Sequence, residues 1–361
     1  MKADRDIIII GAGSTGLSSA LFLSELGFKP RILEKRDPSK ITKALGVNPN
    51  TLKLLESTGI TSRFLENGRK VHAMNIWCKE KLVYKNDFSK VKHEYPYMLI
   101  QPQFETEGII EEALAEKDII VERGWELKAI QTNNEKTILD FRKRDGSVNT
   151  LIHDDIVIGA DGSNSKVRDC LKIPFKGWEH QEEFRLYDIE LDTPIDSKEG
   201  HYFFYKEGGM IMLHIRDGIW RVGGNIKDTL NYLPKGTRTG KISWDTTFTI
   251  KEKMAEQFSS DNVYILGDAA HTHSPAGAKG MNMCIEDSYI FVKLLKEGRE
   301  REYHGFRYPQ IKSAVGMLAQ LTDKIGGNNI IGRTIRNHMD KFTPLFPLIM
   351  PSVRKFLLGI K

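Results

Sequence analysis

The chain has 361 residues, 40% of them hydrophobic and 28% charged, which is the composition of a soluble globular protein long enough for a large core and about two domains. Its net charge of +5 suits anionic small molecules, a phosphorylated coenzyme or an acidic membrane surface, and without a dense basic stripe it argues against nucleic acid. Cys78, Cys170 and Cys284 stand far apart in no metal or redox spacing, so neither a disulfide framework nor a metal site is expected. With no signal peptide and no long apolar span in view, a reducing cytoplasmic setting follows as the expectation.

Residues 6–10 form an apolar β-branched run that leads at once into Gly11, Ala12, Gly13, Ser14, Thr15 and Gly16, and then into an amphipathic stretch over 17–26. This predicts strand, glycine turn and helix, and the next strand, 30–33, ends in Glu34. Gly11 permits a tight turn, Gly13 lets a pyrophosphate approach the helix N-terminus, Gly16 lets helix and strand pack closely, and Glu34 accepts hydrogen bonds from a ribose. Over 40–59 a helix is expected, with Pro49 near its start. Lys43 precedes its glycine-containing turn and supplies either a cation to a phosphate or ring edge, or a solvated surface lysine.

Residues 71–97 alternate as a hairpin does, and 99–103 lead to a helix through Leu114, with Thr106 as its expected cap and Gln103 just ahead of it. Strands near 119–122, 126–133 and 136–142 make a small antiparallel layer. A strand over 155–159 then ends in Asp161 and Gly162 before a helix over 166–171. Asp161 there can hold a ribose or ribityl hydroxyl, and Arg168 can face a phosphate or a carboxylate. Short strands at 184–191, 200–206, 210–215 and 219–224 predict an antiparallel sheet roofing the nucleotide layer. Its candidate substrate contacts are Tyr187, Tyr202, Phe204, His214, Arg216 and Trp220, each of which also reads as plain packing.

The stretch 261–287 carries a strand over 262–266, Gly267 and Asp268 at its carboxyl end, then His271, His273 and Pro275. Gly277, Ala278, Lys279 and Gly280 offer backbone to a flat ligand, and Met281 and Asn282 open a helix whose free N–H groups suit an anionic ring. After a helix to Lys296, the final residues, 342–361, mix apolar and basic side chains with three prolines. They are too short and broken to span a bilayer, and they suit core packing, a dimer contact or a membrane interface.

Together these segments resemble the single-component flavoprotein monooxygenases related to p-hydroxybenzoate hydroxylase. The turn from Gly11 to Gly16 with Glu34 is similar to that family's ADP-binding fingerprint, the segment from Ala160 to Arg168 to its DG motif, and that from Gly267 to Asn282 to its GD motif and flavin-facing turn. The resemblance implies an α/β architecture. A Rossmann-like FAD-binding domain (1–70, 98–175 and 258–295) would carry an inserted antiparallel-sheet substrate domain (71–97 and 176–257), followed by a C-terminal helical part (296–361). It implies that Gln103 meets the ribityl chain, that Lys35 and Leu127 join the cofactor contacts, and that Pro275, His214 and Tyr202 stand at the reacting centre. Lys43 stands where the family usually has arginine, which forfeits bidentate contacts. The thioredoxin-like extension of the phenol hydroxylase branch, and dimerisation through it, are not expected.

The implied activity is hydroxylation of an aromatic or polyketide-like small molecule with NADH or NADPH and dioxygen, through a flavin C4a-hydroperoxide, by a monomer or homodimer. A membrane-associated ubiquinone-type hydroxylase, a polyprenyl-reducing flavoenzyme and a flavin-binding regulator without turnover are the alternatives. The G-W-x-W-x-I-P signature of tryptophan halogenases is absent.

Overall fold

Four consecutive isoleucines make the innermost strand of the molecule, because only a strand covered on both faces buries every side chain of such a run. The computed structural model describes residues 5–40, 44–132, 136–322 and 330–360. Strand β1 (Ile7–Ile10) lies between β2 (Arg31–Glu34) and β12 (Ile156–Gly159), with β8 (Val121–Arg123) beyond β2 and β19 (Val263–Ile265) beyond β12. All of these pairings are parallel, and the short β18 (Ser259–Ser260) adds an antiparallel edge. The order brings the carboxyl ends of β1, β12 and β19 side by side, and these ends lead into the three motifs recognised in the sequence.

Helix α1 (Ser14–Ser24) is buried over ten of its eleven residues, so it packs as a core rod and not as a surface helix. Small side chains permit this. Ser18 and Ser19 both reach Ser288 at 2.9 Å on α6 (Gly280–Lys296), and α4 (Gln103–Ala115) also lies against α1. Gly11 has φ +108°, and a Cβ on it would lie 2.3 Å from the Ala160 carbonyl, while one on Gly16 would lie 1.9 Å from the Gly11 carbonyl. The close packing expected at both positions is therefore present.

Beside this layer stands an eight-stranded sheet in the order β20 (His271–Thr272), β17 (Arg238–Ala255), β13 (Phe175–Asp192), β16 (Ile219–Gly224), β15 (Gly209–Arg216), β14 (Gly200–Phe204), β5 (Ala73–Cys78) and β6 (Lys81–Asp87). Thus the 71–97 hairpin and the strands after residue 175 share one sheet, joined by the parallel β5–β14 pair. Strands β13 and β17 are eighteen residues each, far longer than the expected 184–191, and β17 had no counterpart in the sequence reading. In the expected antiparallel layer β9 (Glu126–Thr132) pairs with β10 (Thr137–Arg142), but the strand near 119–122 is β8 of the parallel sheet, and the third member is β11 (Val148–His153). A last small sheet joins β3 (Gly46–Val47), β7 (Met98–Ile100) and β4 (Arg69–Val71).

The remaining helices are α2 (Pro49–Leu55), α3 (Thr61–Asn67), α5 (Lys166–Cys170), α7 (Tyr303–Leu321), α8 (Ile330–Asn337) and α9 (Phe346–Leu358). Pro49 is the first residue of α2, as expected, and Asn48 caps it by accepting from the Thr51 N–H at 2.9 Å. Thr106 is not the cap of α4, which begins three residues earlier behind Pro102. No helix among the described residues is long and apolar enough to cross a membrane.

Helices α6 and α7 are fastened by charge. Asp287 is fully buried and takes the Arg307 Nε at 2.6 Å, while Arg307 also reaches Glu286 at 2.8 Å and Gln310 at 3.0 Å. Removing one member of a buried pair strands the other charge. Arg307→Met is expected to lower stability by about 3–5 kcal/mol in denaturant unfolding at neutral pH, and an unchanged midpoint would refute that role for the pair.

Candidate functional site

The glycine turn and Glu34 meet as expected. Glu34 ends β2 beside the turn, accepting the Ala12 N–H at 2.7 Å on one carboxylate oxygen and the Arg36 N–H at 2.8 Å on the other. Lys35 follows it in the exposed connection. The Trp125 N–H donates to the Glu34 carbonyl at 3.0 Å, which places the start of β9 here, although Leu127 itself is buried in the core. Lys43 lies outside the described residues.

A residue that the sequence reading did not single out occupies the N-terminus of α1. Glu107 accepts from the Ser14 N–H at 2.9 Å, the Ser14 hydroxyl at 2.8 Å and the Gln103 side-chain amide at 2.8 Å. Burial raises its pKa, and these three donors offset that only in part. Gln103 therefore points its amide at Glu107, four residues on along α4, and that spacing was the one signal available beforehand.

Asp161 adjoins the Gly11 turn, but one of its oxygens is committed locally. Its Oδ2 takes the Lys166 N–H at 2.6 Å and the Val167 N–H at 3.1 Å, capping α5 together with Ser165. Its Oδ1 is buried without a hydrogen-bond partner, and burial raises the carboxyl pKa. Arg168 lies 3.9 Å from a neighbouring carboxylate, Asp169, and its hydrogen bonds go to carbonyls. It donates to the Ala269 carbonyl at 3.0 Å and the Ser163 carbonyl at 3.1 Å, and stacks 3.8 Å over Phe175, so it ties the 161–165 turn to the 267–270 turn.

That second turn is set from below. The Gly267 N–H donates to Asp287 Oδ2 at 3.0 Å, and His271 Nε2 meets the same oxygen at 2.7 Å. Burial opposes the charge of Asp287, yet Arg307 and His271 outweigh burial and hold its carboxyl below the usual range. Asp268 is left exposed at the mouth of the turn, with Cys284 Sγ 3.6 Å from its Oδ1. His273 stacks parallel to His271, and burial, reinforced by His271, depresses it to about 4, so it is neutral at physiological pH.

Pro275 is exposed at the rim of the next turn, in which Gly277 and Ala278 both take positive φ, +77° and +53°. Helix α6 begins at Gly280, so the N–H groups of Gly280, Met281 and Asn282 have no intrahelical acceptor. The Asn282 side chain pins this turn to β3 and α2. It donates to the Gly46 carbonyl at 2.8 Å and the Ala278 carbonyl at 2.6 Å, and accepts from the Asn48 N–H at 2.9 Å and the Thr51 hydroxyl at 2.7 Å.

One face of the large sheet continues this site. Leu45, next to Gly46, clusters with Met98, Ile100 and Leu358, and Met74 and Leu213 of the sheet pack against them. Register places Tyr202 and Phe204 on the same face as Met74, under Met339 and Phe346, with their rings 4.7 Å apart. His214 is a correction: alternation along β15 turns it to the opposite face, where its ring lies 5.2 Å from Trp220 and Tyr187 shares the cluster. Arg216 is likewise spent on a surface ion pair with Glu105.

A glycine turn at a helix start with an acidic strand end, and two further polar turns at neighbouring strand ends, define a dinucleotide-binding α/β protein. The chain matches the FAD binding domain family over residues 4–221 and 227–301, and it belongs to that family, the flavoprotein monooxygenases related to p-hydroxybenzoate hydroxylase. It is 32% identical to an uncharacterised aromatic compound monooxygenase of Bacillus subtilis (strain 168), over 99% of this chain and 75% of that protein. To pentachlorophenol 4-monooxygenase of Sphingobium chlorophenolicum it is 28% identical, over 85% of this chain and 62% of the relative. To 6-methylpretetramide 4-monooxygenase of Streptomyces rimosus it is 25% identical, over 78% and 54%. The chain thus spans between about half and three quarters of the length of these curated relatives. Among solved structures, p-nitrophenol 4-monooxygenase from Pseudomonas putida DLL-E4 superposes with a TM-score of 0.84 over 98% of both chains at 19% identity, which shows a common fold.

The residues present fit FAD. The orphaned Asp161 Oδ1 suits a hydroxyl donor, the first turn of α6 presents free N–H groups, and Glu34 stands where the ribose of an ADP moiety would be read. Glu34→Ala is expected to weaken FAD binding by about 1–3 kcal/mol, measured as the dissociation constant by flavin fluorescence. An unchanged constant would remove Glu34 from the site.

Proposed function

We propose that the protein is an FAD-dependent monooxygenase that uses NADH or NADPH and dioxygen to hydroxylate an aromatic or polyketide-like small molecule. The observation that carries this reading is the 275–282 turn, which Asn282 ties to Gly46, whose neighbour Leu45 packs with Met74 and Leu213 of the large sheet. Family membership and the printed activities of the relatives support it. The discontinuous division into an FAD-binding domain, a substrate domain and a C-terminal helical part belongs to the same proposal.

Bound FAD supplies hydride acceptance and activation of dioxygen, and the chain's own residues bind, orient and keep water out. Glu34, Asp161 and Asp268 offer carboxylate acceptors to sugar hydroxyls, and the α6 N–H groups and helix dipole favour negative charge on a ring laid against them. Leu45, Met98, Ile100 and Leu358 seal the junction between the two layers. Tyr202 and Phe204 form the chamber floor and Pro275 its rim. Burial raises the Tyr202 phenol above its ordinary pKa, so it remains an O–H donor through the neutral range.

Incubation with a panel of phenols and polyketide aromatics should stimulate NAD(P)H oxidation and yield a product carrying one atom of labelled dioxygen. Phe204→Ala should raise hydrogen peroxide formed per product by opening the chamber to water. Product without label from every stimulating compound would sink the monooxygenase reading and leave the reductase.

A membrane-surface enzyme of ubiquinone-type chemistry is the second reading, and one feature favours it. Leu345, Leu348 and Ile349, around the start of α9, are 46%, 78% and 51% exposed, with Phe342 beside them and Lys341 and Lys355 on the same exposed segment. The protein should then float with anionic liposomes, and a Leu348→Glu, Ile349→Glu variant should not. Equal recovery of both in the soluble fraction would discard this reading.

A further inference from the structure

A cavity of about 260 Å³ lies behind the 275–282 turn, between α6, α7, the start of α2 and the end of α9. Its size sits just below the usual range of small-molecule pockets, roughly 300–1,000 Å³. Ile311, Ala314 and Phe356 supply apolar walls, and Asn48, Gln310 and Lys279 supply polar ones.

The charges around it balance in number but are not paired alike. Arg307 lines the cavity with three of its five N–H groups given to Asp287, Glu286 and Gln310, and Glu286 gives one oxygen to Arg307. Lys279 is different. It is 9% exposed and has no hydrogen-bond acceptor or ion pair among the described residues. Its ammonium stands 4.5 Å over the Phe356 ring, a contact that leaves all three N–H donors unspent. A largely buried side chain whose ammonium has no acceptor is held less well than in water, and an anion in the cavity would relieve that. Burial depresses Lys279 to about 8, with Glu286 opposing, so the amine keeps its proton over most of the neutral range.

We propose that this cavity is a binding site for a small organic carboxylate with an apolar body, its charge held by Lys279 and its body by Ile311, Ala314 and Phe356. A carboxylate fits better than a phosphate, because a dianion would face one unspent cation across mostly apolar walls. The site is separate from the sheet-side chamber. It touches the flavin-facing turn through Lys279 and Asn282, which flank Gly280 and Met281, and Asn282 is the side chain that pins that turn to Gly46. An occupant therefore presses on the segment that frames the ring without entering the chamber where hydroxylation is proposed.

The test is calorimetric titration of sodium benzoate into FAD-loaded protein, with benzamide as the uncharged counterpart. Wild type should bind benzoate saturably and benzamide far more weakly. Lys279→Met should weaken benzoate by about ten-fold or more, the loss expected of a charged hydrogen bond, and Lys279→Arg should retain it. Ala314→Phe, which fills the cavity from α7, should also abolish binding while flavin absorbance shows FAD still held. If wild type fails to bind benzoate, or binds benzamide equally well, the proposal falls. If Lys279→Met binds benzoate as wild type does, the ligand lies in the sheet-side chamber and the proposal falls with it. Should Ala314→Phe not fold, Lys279→Met and Lys279→Arg decide the matter alone.

Discussion

A single buried carboxylate organises the centre of this protein. Asp287 has no exposed surface, and a charge so placed persists only if its oxygens are satisfied from every side. Its partners come from three parts of the chain: the backbone of Gly267, the ring of His271 and the guanidinium of Arg307. Satisfying one charge thus fixes the turn after β19, the start of β20 and the seating of α7 on α6. Asp268 reaches the mouth of the site because its neighbour Gly267 is held from beneath, and Cys284 on the same helix closes the contact from the side.

The second constraint is the way one asparagine side chain makes four hydrogen bonds, two from its amide nitrogen and two to its oxygen. Asn282 uses both its donor and its acceptor side on Gly46, Ala278, Asn48 and Thr51, which leaves its backbone N–H, with those of Gly280 and Met281, free for a ligand. Side-chain amides buried this fully specify one arrangement because any shift leaves a donor unmatched. The turn with positive φ at Gly277 and Ala278 is held in shape by that network and not by regular secondary structure.

How much of this was legible in the sequence depended on range. The strand, glycine turn and helix over 7–24, the acidic end of β2 and the polar turns after β12 and β19 are local patterns, and each stands where its spacing implied. The α/β architecture was implied by the resemblance of these segments to the flavoprotein monooxygenases, and the parallel pairing agrees with it. Partners were not legible. Arg168 carries the right charge for a phosphate, but its guanidinium is spent on carbonyls 5 and 101 residues away, and no single sequence reveals that pairing. Asp161 was placed correctly and half misread, since a capping role for Oδ2 depends on where α5 begins. His214 failed by one step of strand phase, the error to which a bulged strand such as β15 is most prone. The full lengths of β13 and β17 were hidden because their first stretches, 175–179 and 238–243, are largely exposed and have no buried face, although both strands alternate further on.

The strand order carries a consequence for biogenesis. Strand β1 pairs with β12, and β12 with β19, so the central sheet waits for residue 265 to leave the ribosome before its last parallel neighbour arrives. Strand β1 gains β2 early and β12 by residue 159, and the far edge of β12 then stays open until β19 is made, on the order of 5–20 s later at ordinary elongation rates. The Asn282 lock and the Asp287 partner Arg307 come later still, so a cofactor-competent turn is a post-synthetic event.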